Sequence, residues 1–248
     1  MIDKIKRFSL ITNMLKTTSI YAVGDVIARA VPFILLPVLT RFLAPQDYGV
    51  LAIFMAIFSV VQIIISMGAG EAIIRAYFDI GKSKFSFPKY VFNGVFMIFL
   101  MAVVISFFWW AGKPYFSKTI PVPFQYQLAI PLLSFFTIVY MIVFKMWILM
   151  KKPWLFTIFN SVNISLELGV AVFLIVVMGF NWQGRVWGIV VSRLSLFIIA
   201  IYVLLKYNFL RVSLNKVYIG NILSFGFPVV LHSLGFAVIA AIDRFFIE

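Results

Sequence analysis

Seven long apolar stretches, at about 18–40, 49–68, 90–111, 126–150, 155–179, 186–205 and 219–241, fill most of this 248-residue chain. Only short polar connections lie between them. Hydrocarbon about 30 Å thick is spanned by about 20 helical residues, so each stretch is long enough to cross a bilayer. Most are also too long and too uniformly apolar to be soluble core helices. The composition agrees, with 64% of residues hydrophobic and 12% charged, against about 45–50% and about 25% in globular domains. A transmembrane barrel would show roughly ten-residue segments of alternating polarity, and these are absent. The chain is read as all-α, a polytopic transmembrane bundle of about seven helices, with no room for a soluble catalytic domain.

The formal net charge of +13 raises nucleic acid as a partner, because strongly basic domains bind phosphate backbones. The placement of the charges argues otherwise. Of the 21 Lys and Arg, thirteen fall in one set of alternating connections (Lys4, Lys6, Arg7, Lys16; Arg75, Lys82, Lys84, Lys89; Lys151, Lys152; Lys206, Arg211, Lys216). Five fall in the other: Arg41, Lys113, Lys118, Arg185 and Arg244. The positive-inside rule makes the first set cytoplasmic, together with the N-terminus, so most of the charge is a topology signal and no nucleic acid partner is expected. Asp25 and Arg29 interrupt the first stretch, unlike the short uncharged core of a cleavable signal peptide, so it is expected to remain as a transmembrane helix. Trp109, Trp110, Trp147, Trp154, Trp182 and Trp187 all fall near segment ends, where indole rings anchor at the membrane interface.

Five ionisable residues remain inside the segments: Asp25, Arg29, Lys145, Glu167 and Arg193. Each costs at least ~2.5 to 3.5 kcal/mol near a helix centre, and such groups face a bundle interior or a water-filled cavity. Lys145 is close enough to a helix end to snorkel; the other four are deeper. Asp25 and Arg29, at i and i+4, share one helix face and can neutralise each other. Asn160, Asn163 and Glu167 are spaced i, i+3, i+7 on the fifth segment and read as a lumen face, whereas Ser59, Gln62 and Ser66 on the second read as interhelical hydrogen-bonding groups. Together Asp25, Arg29, Asn160, Asn163, Glu167 and Arg193 are expected to line a hydrated, partly cationic cavity.

General acid–base pairs and metal ligands are poorly supplied. There is no cysteine and one histidine, His232, and no HExxH helix, aspartate-rich metal motif or glycine-rich phosphate loop. The expectation is transport rather than catalysis, with no cofactor and no metal. Buried arginine favours an anionic passenger, because its planar fork of donors suits phosphates. Asp25 and Glu167 keep a cation-coupled exporter open, and a membrane scaffold without transport stands as a further alternative should the deep charges prove paired and dry.

The stretch Tyr21–Gly49, YAVGDVIARAVPFILLPVLTRFLAPQDYG, resembles the opening helix and hairpin of polysaccharide exporters in the multidrug/oligosaccharidyl-lipid/polysaccharide superfamily, and among them the O-antigen flippases of the Wzx type. Pro32, Pro37, Thr40, Arg41, Leu43, Pro45, Tyr48 and Gly49 carry the likeness. GAGEAIIRAYFD at Gly68–Asp79, with Arg75 and Tyr77, is similar to the turn after the family's second helix, and FGFPVV with DRFF (Asp243, Arg244) to its seventh. Pro45 and Gly49 read as punctuating a tight outer turn. The resemblance implies a passenger that is a lipid-linked oligosaccharide, moved across a bacterial inner membrane for surface polysaccharide or lipopolysaccharide synthesis, with the bilayer and a polysaccharide polymerase machinery as partners.

Family members have two six-helix lobes around a central cavity. The resemblance therefore implies a first lobe at 1–216 and, at 217–248, the first helix of an incomplete second lobe, as in a truncated frame. TRFL at Thr40–Leu43 and DRFF at Asp243–Phe246 hint at an internal repeat. A shift of 203 residues sets Arg244 on Arg41 and His232 on Arg29. Histidine changes charge near neutral pH, and His232 joins the expected cavity set on that ground.

Overall fold

The computed structural model describes residues 40–79 and 86–245 together with Ser19, Ala22, Val26, Ala30, Phe33 and Pro37; from Val238 onward Ile239 alone has a described side chain. The described part is helical, with no strand, and the chain is a multi-pass membrane protein. The helices are α1 (Pro45–Ser66), α2 (Ala69–Phe78), α3 (Phe87–Ala111), α4 (Lys113–Thr119), α5 (Phe124–Leu149), α6 (Pro153–Val172), α7 (Trp182–Lys206) and α8 (Lys216–Phe245). A π-helical turn, Phe173–Val177, extends α6. Among the described residues six helices are long and apolar enough to cross a membrane: α1, α3, α5, α6 with its π turn, α7 and α8. They coincide with six of the seven apolar stretches, and their ends agree within about four residues. The seven described positions of the first stretch, from Ser19 to Thr40, are helical as well.

Two compact units are distinguished, one of residues 1–44 and 144–192 and a larger one of 45–143 and 193–248. In the larger unit α8 packs on α1, α2 and α3. The crossing is backbone against backbone. Gly68 has φ +67°, a left-handed conformation that L side chains rarely adopt, and a Cβ placed there would lie 2.4 Å from Gly226 Cα. A Cβ on Gly226 would lie 2.0 Å from Met67 O. Only glycine at both positions lets α8 lie on the corner between α1 and α2. Beside this crossing, Arg75 Cζ is 4.8 Å from the ring centre of Phe225.

The segment ahead of α8 is tied down by one buried amide. Asn93 is fully buried on α3; its Nδ2 donates to Lys89 O at 2.7 Å and Ser213 O at 2.6 Å, and its Oδ1 accepts from Asn215 N at 2.9 Å. Two donors and one acceptor are thus engaged, as burial of an amide demands. One turn away, the Tyr90 hydroxyl donates to Asn221 Oδ1 at 2.8 Å, and the Tyr218 hydroxyl accepts from Ser86 N at 3.2 Å. Further along the same unit, Trp109 Nε1 donates to Gln127 Oε1 at 3.1 Å and its ring stacks on Phe116 of the short helix α4.

In the other unit α6 and the start of α7 meet through small residues. Gly184, Gly188 and Ser192 recur every four residues on one α7 face, the spacing that allows close helix approach in a bilayer. A Cβ on Gly188 would lie 2.4 Å from Glu167 O, and one on Gly184 would lie 2.8 Å from Ile175 Cγ1. Trp147 closes the other end of α6 by packing on Phe159, with ring centres 4.7 Å apart.

Three expectations need correction. Pro45 does begin α1, but Gly49 lies inside that helix, with nothing within 4 Å of a Cβ placed on it; the turn itself is Leu43–Ala44. Trp147 and Trp182 are buried, at 2% and 7% exposure, so the interface-anchor reading fails for them, whereas Trp110 and Trp154 are exposed. Arg185, assigned to an outer connection, is part of α7 and turns its side chain inward.

Candidate functional site

Glu167 lies on the inner face of α6 at 9% exposure, nearly two turns before the π segment. Its Oε1 is 2.7 Å from Arg185 Nη2 on α7, with side-chain exposures of 11% and 15%. The Gly188 contact on the Glu167 carbonyl sets the spacing of the two helices at this level. One turn back on α6, the Ser192 hydroxyl faces both Asn163 oxygens, the side-chain Oδ1 at 2.5 Å and the backbone carbonyl at 3.2 Å. Asn160 is half-buried. Two of the three residues read as a lumen stripe therefore bond to α7, one by an ion pair and one by a hydrogen bond.

In the larger unit, Arg193 is half-buried, with its Cζ 5.6 Å from the ring centre of the buried Tyr140. The ring face attracts the cation and lowers the cost of holding it at depth. His232 is exposed on α8, its ring edge-on to Phe236 with centres 4.9 Å apart. Arg75, besides covering Phe225, is 4.0 Å from Asp79 in an exposed pair, a geometry that contributes little to stability. Pro37, Thr40 and Arg41 are exposed, Tyr48 is half-buried, and the Thr40 hydroxyl donates to Pro37 O at 3.0 Å.

Asp25 and Arg29 lie outside the described residues, as do the side chains of Asp243 and Arg244. The structure brings Glu167 and Asn163 to one helix contact. It joins two stretches that carry the family likeness, since Gly68 meets Gly226 and Arg75 covers Phe225. Sequence reading misses Arg185, because Asn181, Gln183 and Gly184 around it look like a loop. The signal that points to it is the small-residue spacing of Gly184 and Gly188, which marks a helix already begun. Nothing local marks Asn93, whose partners beyond its own helix lie about 120 residues away along the chain.

The family model of "polysaccharide biosynthesis protein" matches residues 14–248. A Haemophilus influenzae protein described as "Lsg locus putative protein 1" is 25% identical over 247 residues, covering 95% of this chain and 57% of its own length. A second Haemophilus influenzae protein, described as "Uncharacterized membrane protein", is 33% identical over 70 residues, 28% of this chain and 17% of its own length. The chain thus spans a little over half the length of the first relative. No solved structure matches it.

Proposed function

The chain belongs to the polysaccharide biosynthesis protein family, and from that premise we propose that it takes part in moving an undecaprenyl-pyrophosphate-linked oligosaccharide from the inner to the outer leaflet of a bacterial inner membrane, for surface polysaccharide such as O-antigen. The observation that carries this reading is the family match over residues 14–248. The helical membrane fold and the scarcity of acid–base pairs, with no cysteine and one histidine, favour a transporter over an enzyme. Glu167 and Arg193, well inside apolar helices, with Arg185 reaching Glu167 from the first turn of α7, fit a protein that handles a charged group within the bilayer, since intramembrane ionisable residues mark substrate pathways. In this reading Arg29 and Arg193 meet the pyrophosphate or acidic sugars, and Asp25 and Glu167 tune or reset the site.

Residues 1–216 act as one lobe and 217–248 open a second, against which the first rocks to expose the site alternately to each side. The N-terminus faces the cytoplasm, and polysaccharide polymerase is the partner downstream. The test is genetic. In cells that make this protein, Arg193→Ala is expected to reduce surface glycan while leaving the protein in the membrane. Normal display in both Arg193→Ala and Arg29→Ala removes these arginines from the substrate path.

One observation favours a second reading, a non-transporting scaffold subunit: the Glu167 carboxylate is ion-paired, as a purely structural charge would be. Under that reading Arg193→Ala leaves glycan display intact, and loss of display requires disrupting the helix contacts themselves.

A further inference from the structure

The α6–α7 contact contains an arginine that is fixed in place but incompletely used. Arg185 Nη2 meets Glu167 Oε1 at 2.7 Å, while Nη1 is buried and makes no hydrogen bond. Guanidinium carries five N–H donors in a rigid fork, and a buried donor left unfilled is costly enough that each instance in a folded protein calls for an explanation. A purely structural pair would relax to fill both ends of the fork. Here the helix spacing is set by glycine backbone contacts, Gly188 on the Glu167 carbonyl and Gly184 on Ile175. The pair therefore cannot close further by moving the helices together. The π turn Phe173–Val177 continues α6 directly after Val172, six residues beyond Glu167, and such turns are frequent at functional sites.

We propose that Arg185 is an anion-binding residue, taking a phosphate-type oxyanion through Nη1, with Glu167 as the internal competitor that neutralises the guanidinium when no anion is present. This rests on the translocation reading for its ligand class and deepens it by naming a residue that reading does not use. The guanidinium fork suits two oxygens of a phosphate, which a lysine in the same place could not engage as a pair. Glu167 keeps the cation compatible with its largely buried place against α6 between binding events, since an unpaired buried charge is far costlier than a paired one. Phosphate chemistry could arrive on a pyrophosphate or on an anionic lipid headgroup, and the two sources are separable.

The experiment uses the full chain purified into nanodiscs of phosphatidylcholine, with thermal unfolding followed as inorganic pyrophosphate is added. Wild type is expected to be stabilised by pyrophosphate. Glu167→Gln is expected to respond at concentrations lower by on the order of tenfold, because a hydrogen bond to a charged group is strong enough for that once its competitor is removed. Arg185→Gln should not respond. Since Arg185→Gln takes the guanidinium away from the buried Glu167 carboxylate and can fail to fold, the double variant Arg185→Gln/Glu167→Gln, neutral at both positions, is measured beside it and should also not respond. Replacing part of the phosphatidylcholine with phosphatidylglycerol reads the lipid source; stabilisation there that depends on Arg185 supports the proposal and assigns the phosphate to a headgroup. The proposal is overturned if neither wild type nor Glu167→Gln responds to either phosphate, or if the response survives in the double variant. Because the readout is binding to purified protein, that failure leaves the glycan-display test standing, and a failed glycan test leaves the binding result intact.

Discussion

Removing Glu167 from its pair with Arg185 leaves a largely buried guanidinium uncompensated, and breaking a buried pair from one side costs about 3–5 kcal/mol in comparable sites. Glu167→Leu alone is therefore expected to lower thermal stability strongly, and Glu167→Leu/Arg185→Leu much less, since two leucines replace the pair without stranding the guanidinium. Equal losses in the single and the double variant would contradict the pairing. Asn93 makes a second case at this scale. Asn93→Ala strands Ser213 O and Asn215 N, and each buried unsatisfied group costs about 1–3 kcal/mol, so proteolysis between residues 207 and 215 is expected earlier than in wild type, and an unchanged cleavage rate would contradict the tie. Depth was legible at this scale: Glu167 and Arg193 stand out because charge inside an apolar run is rare. Partnership was not, because the sequence does not say which way a long side chain turns. Arg185 sits among loop-forming residues and reaches inward from there.

Helices rather than turns dominate what the sequence made plain. Twenty or more apolar residues leave little choice in a bilayer, where every backbone group must bond within its own segment, so six spans appear close to their expected bounds. The short helices α2 and α4 escape that logic, being 10 and 7 residues long and mixed in polarity. The crossing of α8 over the α1–α2 corner was likewise hidden, since glycines at 68 and 226 declare a close approach only when their partner is known. A comparison within one helix tests it. Gly220 and Gly235 have nothing within 4 Å of an added Cβ, so Gly220→Ala and Gly235→Ala should be neutral or stabilising by up to about 1 kcal/mol from helix propensity. Gly226→Ala should instead destabilise by about 1–3 kcal/mol through overpacking. Unfolding in graded denaturing detergent gives the order, and equal effects at all three positions would mean that α8 does not pack there.

For the whole molecule, the charge asymmetry gives an orientation that labelling can check. The native chain has no cysteine, so single cysteines report cleanly: position 118 should react with an impermeant reagent from outside intact spheroplasts, and position 84 only after lysis. The reverse pattern would invert the topology drawn from the positive-inside rule. Membrane class and family likeness were both readable, because apolar length and short motifs are local properties. The site was readable in Glu167, Arg193 and Asn163 but not in Arg185 or Ser192, because assembling the partners needs contacts that no spacing encodes. The central claim, that this protein helps carry a lipid-linked oligosaccharide to the outer leaflet, is tested most directly by where that lipid accumulates. In spheroplasts lacking the protein, oligosaccharide reached by an external lectin is expected to fall while the total lipid-linked pool rises. Unchanged lectin access at a normal pool size would contradict it.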